Sequence, residues 1–175
     1  MSETLIVLTS KSFDTIKREG GSGDWALAPQ RIERRCKYII CCRHAYSGWS
    51  EGVEEHGSAF LIGEVSGVIP SPERPDRYII TMRSYALIDV SGYWNGERNP
   101  VRFVPTDQAL SRLSGKGIDV SNLEWHEWTN EIASAANLLD HPRGAISPLT
   151  VQQAKAGLAV YHKVPEDRIE ITIRF

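Results

Sequence analysis

The chain has 175 residues, and 20 lysines and arginines stand against 22 aspartates and glutamates, a formal charge of −2. That balance excludes a sequence-blind nucleic-acid coat, whose affinity rests on counterion release, while leaving room for a local basic patch such as Arg31, Arg34, Arg35, Lys37 and Arg43. A hydrophobic share of 41% supplies the core of one domain, or of one domain with an appendage. No apolar run approaches membrane-spanning length, and Met-Ser-Glu-Thr does not open a signal segment, so we expect no membrane association. Three bunched cysteines, Cys36, Cys41 and Cys42, are unlike a secreted disulfide framework and imply a reducing cytoplasm.

In chain order, the apolar run 5–8 reads as a buried strand and 12–18 as a short helix stopped by Gly20-Gly21-Ser22-Gly23. Asp24-Trp25 follows, then a helical turn through Arg35. Residues 37–43 and 57–68 read as two adjacent antiparallel strands, joined by a polar loop carrying Tyr46, Trp49 and His56. A proline-rich turn covers 70–75, because proline fixes φ and cannot continue a ladder. Residues 77–82 and 85–90 read as two further strands, 91–96 as a loop and 101–104 as the last strand of the set. A helix is expected over 106–113, broken by Ser114-Gly-Lys-Gly117, with irregular chain over 118–128 and helix again over 130–139. Thr150 and Gln153 fit a capping box, and Val151, Ala154, Leu158 and Tyr161 line one helical face. The alternation of Ile169, Ile171, Ile173 and Phe175 marks a closing strand. The expected organisation is a mixed α/β barrel domain over 1–140, with helices, and a helix–strand extension over 141–175.

The order of elements, with Trp25 after the first helix and Gly63-Glu64-Val65 in the strand after the aromatic loop, resembles the EVE branch of the PUA-like superfamily. The resemblance spans about residues 4–104. Arg35-Cys36-Lys37 stands where that family usually has Gly-Asp, and the chain after about 105 has no counterpart in it. It implies a small closed or nearly closed barrel with helices outside and a pocket for a modified or flipped base. The same superfamily includes ASCH-type proteins, some of them enzymes, so a small hydrolase is the alternative, and a protein-interaction module is a third reading.

Five tryptophans (Trp25, Trp49, Trp94, Trp125 and Trp128) are many for this length. A base stacks on an open aromatic face for about 1–3 kcal/mol, although the same ring more often plugs a barrel end. Small or turn-forming neighbours single out Trp25 and Trp94 as pocket rings, while Trp125 and Trp128 read as two rings clamping one surface. Arg43, His44, Trp49 and Tyr93 join them as candidate ligand-binding residues, with Asn99 and Arg102 as donors to a base or phosphate. A shared zinc site is excluded by strand geometry, since Cys36 would lie about 20 Å from Cys42 at roughly 3.3 Å per residue. Cys42 and His44 share a face, so a thiol–imidazole dyad is conceivable, although packing is the better explanation of a free cysteine. Glu64 needs a partner, most simply an arginine. No phosphate loop, nucleophile elbow or zinc-protease helix is present. The sequence therefore favours non-catalytic recognition of nucleic acid by aromatics at a barrel mouth, with no cofactor and no catalytic residue assigned. It leaves self-association open.

Overall fold

The computed structural model describes residues 2–72, 74–129, 165 and 168–170. The chain separates into two compact units, Met1–Ala136 and Asn137–Phe175. The expected helices over 130–139 and from Thr150 lie outside the described residues, as does most of the closing strand. Among the described residues no helix is long and apolar enough to cross a membrane.

The first unit is built on one mixed sheet. Strand β1 (Glu3–Thr9) leads into helix α1 (Phe13–Arg18), then a short strand β2 (Ser22–Trp25) and helix α2 (Pro29–Arg35). Strands β3 (Cys36–Arg43), β4 (Ala59–Pro70), β5 (Tyr78–Val90) and β6 (Val101–Pro105) follow, then helix α3 (Thr106–Ser114). A 3-10 turn over Val120–Asn122 precedes a two-residue strand β7 (His126–Glu127). The strand order is β2-β5-β4-β3-β1-β6, with β7 also paired to β5, and the sheet curls into a six-strand half-barrel. Its ladder ends at β2 on one side and β6 on the other.

Burial explains why these segments are strands. In β3, Ile39 and Cys41 enter one apolar cluster and Ile40 and Cys42 the other, the period-2 alternation of a strand covered on both faces. Ile16 of α1 and Ile32 of α2 complete the first cluster, whereas Ala109 and Leu113 of α3 complete the second. Each isoleucine or leucine side chain among them, once fully buried, contributes about 1.5–3 kcal/mol. Strands β3 and β4 are antiparallel, with Ile40 opposite Ile62. Strand β1 runs parallel to β3, which requires a crossover, and α1, β2 and α2 provide it. Register shifts along β4, including those at Glu64/Val65 and Val65/Gly67, mark bulges that strengthen twist and curl the sheet.

Three readings of the sequence need correction. The barrel is not closed or nearly closed: the sheet is a half-barrel, and β2 and β6 do not pair. Residues 77–82 and 85–90 fall in one strand, Tyr78–Val90, because Ser84 keeps its place opposite Glu64 in the β4–β5 ladder, while the Arg83 side chain donates to the Val65 carbonyl. The glycine-rich stretch does not merely end α1; it becomes β2. A Cβ on Gly21 would collide with the Ile80 carbonyl oxygen, so glycine here permits a close backbone approach to β5.

That approach carries a prediction. Gly21→Ala should lower stability by about 1–3 kcal/mol, the usual cost of overpacking. Gly48, with open space where a methyl group would stand, serves as control: Gly48→Ala should stay within about 0.5 kcal/mol. Urea unfolding of both variants checks this, and equal midpoints would contradict the close β2–β5 contact.

Candidate functional site

The carboxyl ends of the parallel strands β1 and β3 lie side by side, and this sets the site. His44 N–H donates to the Thr9 carbonyl at 2.8 Å, so Thr9-Ser10-Lys11 and Arg43-His44 emerge together. The loop between β3 and β4 folds back over them, with Glu51 N–H donating to the Ser10 carbonyl at 2.7 Å. Beside these ends opens a cleft of about 590 Å³, within the size range of small-ligand sites. Its walls include Trp25 from β2, His44 and Trp49 from the β3–β4 loop, and Arg98 from the β5–β6 loop. It draws on Gly23, Asp24 and Trp25 of one sheet end and on Pro100, just before the other. The cleft therefore occupies the mouth where the half-barrel's two edges face each other.

Four cationic side chains line it: Lys11, Arg74, Arg77 and Arg98. Lys11 Nζ is engaged by Glu19 at 2.6 Å and Asp24 at 3.7 Å, and Arg77 donates to the Asp24 carbonyl at 3.0 Å. Arg74 and Arg98 are exposed and make no hydrogen bond or ion pair with the described residues. Two guanidinium groups therefore face the cleft uncommitted.

The aromatic components differ in availability. Trp49 is 68% exposed, a ring free to stack. Trp25 is 8% exposed, and its indole N–H donates to Ser22 Oγ at 3.1 Å. The small neighbours of Trp25 do not leave it open, because α1, α2 and the sheet cover it instead. Little of it is left open to the cleft, and truncating it would remove core as well as pocket wall. Beside the mouth, Tyr46 stacks on His56 at 4.2 Å and 22°, with Tyr46 79% exposed. His44 Nδ1 lies 3.1 Å from Ser10 Oγ.

The remaining sequence candidates go elsewhere. Arg43 is fully buried, donating to Glu54 at 2.9 Å and to the Lys11 carbonyl at 2.8 Å, so it holds the loop and does not face a ligand. Tyr93 is fully buried, its hydroxyl donating to the Ala109 carbonyl, and burial pushes its pKa up to about 12. Trp94 is 7% exposed in the same cluster. Asn99 accepts from the Val101 N–H, and Arg102 turns to Asn95 and Glu97, so neither lines the mouth cleft. Trp125 and Trp128 do not clamp one surface: Trp125 packs near Tyr38 in one cluster, and Trp128 packs on Phe13 and Tyr85 in the other. Two strand residues between them send the rings to opposite faces.

The cysteines fall to packing. Cys41 and Cys42 sit in opposite clusters, and burial raises both thiols, Cys41 to about 12. Desolvation lifts Cys36 to about 11. Cys42 is buried under α3 while His44 bonds Ser10, so the two form no dyad. Nor does Glu64 pair with arginine; its carboxylate accepts from Ser84 Oγ at 3.0 Å. The sequence-adjacent basic residues are dispersed too, since Arg31 forms a bidentate pair with Glu3.

The chain matches no family model, and it has no match among curated proteins or solved structures.

His56 provides a test of the loop's packing. Desolvation, and then the neighbouring His44, lower its pKa from 6.5, and its Nδ1 accepts from the Ala45 N–H, which favours the neutral ring. The folded chain thus binds this proton less well than the unfolded one. The stability His56 contributes is present above the unfolded value near 6.5 and is lost as pH falls through the lower folded value. An imidazole NMR titration should place the His56 midpoint below 6.5, moving upward in His44→Ala. A midpoint at or above 6.5 would show that the loop leaves His56 solvated.

Proposed function

We propose that this chain recognises nucleic acid without catalysis, holding a modified or flipped base in the mouth cleft of a PUA-like, EVE-type barrel. One observation carries the reading: an open tryptophan ring and two uncommitted arginines converge on a single cleft, although the chain as a whole is slightly acidic. Stacking suits any base face, and guanidinium groups suit flanking phosphates. Trp49 supplies the stacking surface, His44 and Trp25 the wall, and Arg74 and Arg98 the phosphate contacts. The position outside the carboxyl ends of parallel strands is the crevice that open α/β sheets use for ligands.

A specific observation favours hydrolysis as a second reading. Lys11, Glu19 and Asp24 form a lysine–carboxylate cluster in the same cleft. A cluster of that kind can hold a water or relay a proton beside a bound base.

The test is binding to short DNA and RNA strands carrying a panel of modified bases, at two salt concentrations. We expect one modification class to bind, with Trp49→Ala weakening it by about 1–3 kcal/mol and leaving the melting temperature unchanged. Arg98→Ala should reduce the single-strand salt slope by about 0.7. Stoichiometric retention of the ligand marks a binding module. Its turnover, abolished by Lys11→Met, marks the hydrolase. Failure of every panel member to bind, or binding untouched by both substitutions, would overturn the recognition reading.

A further inference from the structure

On the face of the sheet that carries α3 lies a larger cleft, of about 690 Å³, that shares no lining residue with the mouth. Its floor is one row across three strands: Tyr38 of β3 stands opposite Glu64 of β4, and Glu64 opposite Ser84 of β5. Leu110 of α3 and the Trp125 ring are among the groups that wall it. Among the described residues no lysine or arginine lines it, whereas two carboxylates do, Glu64 and Asp119. This electrostatic character is opposite to that of the mouth.

The polar groups of this cleft differ in how far they are used. Asp119 already accepts from the Ser121 N–H at 2.9 Å, the Ser121 hydroxyl at 2.6 Å and Asn122 at 3.0 Å, so it serves the 3-10 turn. Glu64 takes a single bond among the described residues, from Ser84 to Oε2, leaving Oε1 without a donor. Tyr38 is 7% exposed, yet its hydroxyl makes no hydrogen bond with any described residue. Tyr38 is thus a mostly buried side chain whose hydroxyl stays open to the cleft without a partner among the described residues, as does the free oxygen of Glu64. The Tyr38 and Trp125 rings lie 6.1 Å apart at 34°, and Lys37 Nζ stands 5.0 Å from the Tyr38 centroid, so that ring already attracts a cation.

The geometry points to a binding site for a primary alkylammonium ion. Its N–H groups donate to Glu64 Oε1 and to the Tyr38 hydroxyl oxygen, and its alkyl chain lies against Trp125 and Leu110. A primary ammonium offers three donors and no acceptor, the complement of a carboxylate and a phenol oxygen; Lys37, on the Tyr38 ring, is not among the described residues that line the cleft. The same chemistry occurs in a free amine and in a lysine side chain of a peptide.

NMR titration of the full chain with n-butylammonium, n-butanol and Nα-acetyl-lysine amide tests this. Butylammonium should shift the Trp125 indole and Tyr38 ring signals, leave the Trp49 indole unmoved, and bind about tenfold or more tighter than butanol, the worth of a charge-assisted hydrogen bond. Glu64→Gln, which keeps the side chain's size, should remove about that same tenfold. Tyr38→Phe should weaken binding by a smaller factor, with unfolding midpoints of both variants confirming that they fold. Tighter binding of the lysine amide assigns a peptide source, and tighter binding of butylammonium a free amine. Equal binding of butanol, undiminished binding by Glu64→Gln, or shifts confined to Trp49 would overturn the proposal.

Discussion

A single buried guanidinium organises the mouth. Arg43, fully buried at the end of β3, reaches Glu54 through Nε at 2.9 Å and the Lys11 carbonyl through Nη1 at 2.8 Å, and lies 4.5 Å over the Phe60 ring. Its Nη2 is 2.7 Å from Glu54 as an ionic contact but forms no directed hydrogen bond. A charge taken out of water costs several kcal/mol unless its partners are in place, so the β3–β4 loop must stay folded back to supply Glu54. The same side chain crowds Gly52, where a Cβ would meet the guanidinium and where φ is +85°. Arg43 thereby ties the end of β1, the end of β3 and the loop that presents His44 and Trp49. The cleft's aromatic rim depends on that tie, although Arg43 itself does not face the cleft.

The loop secures α1 as well. Glu51 accepts from the Ser12 N–H at 2.9 Å, and this backbone bond is the main reason its carboxyl lies below the usual range. Ser12 caps the same helix through Thr15 N–H. The segment after β1 and the segment after β3 are therefore joined by side chains as well as by the ladder, and Lys11, between them, is delivered to the cleft.

Much of the frame was legible in the residues. Runs such as 5–8 and 37–43 can only be buried strands, and the polar connector 44–56 made 37–43 and 57–65 neighbours, as the register confirms. What escaped was contact over long sequence separation. The glycines at and before β2 looked like a break because glycine marks both a turn and a close backbone approach, and only the positions of Ile79 and Ile80 decide between them. The mouth site was half legible: Trp25, His44 and Trp49 come together, whereas Lys11, Arg74 and Arg77 carry no local signal, being placed there by the parallel β1–β3 pairing and the β4–β5 turn. Trp94 and Tyr93 show the reverse error. Turn-forming neighbours suggested exposure, yet the chain after the turn folds inward, with Trp94 N–H donating to the Gly57 carbonyl at 2.8 Å.

The most direct test of the account is an indole N–H map recorded during titration with a single-stranded oligonucleotide. The five tryptophans report separate places: Trp49 and Trp25 the mouth, Trp94 and Trp125 one apolar cluster, and Trp128 the other. If the mouth holds a base, the Trp49 signal moves most, Trp25 moves with it, and Trp94, Trp125 and Trp128 stay still. Movement of Trp125 with Trp49 unchanged would contradict the account.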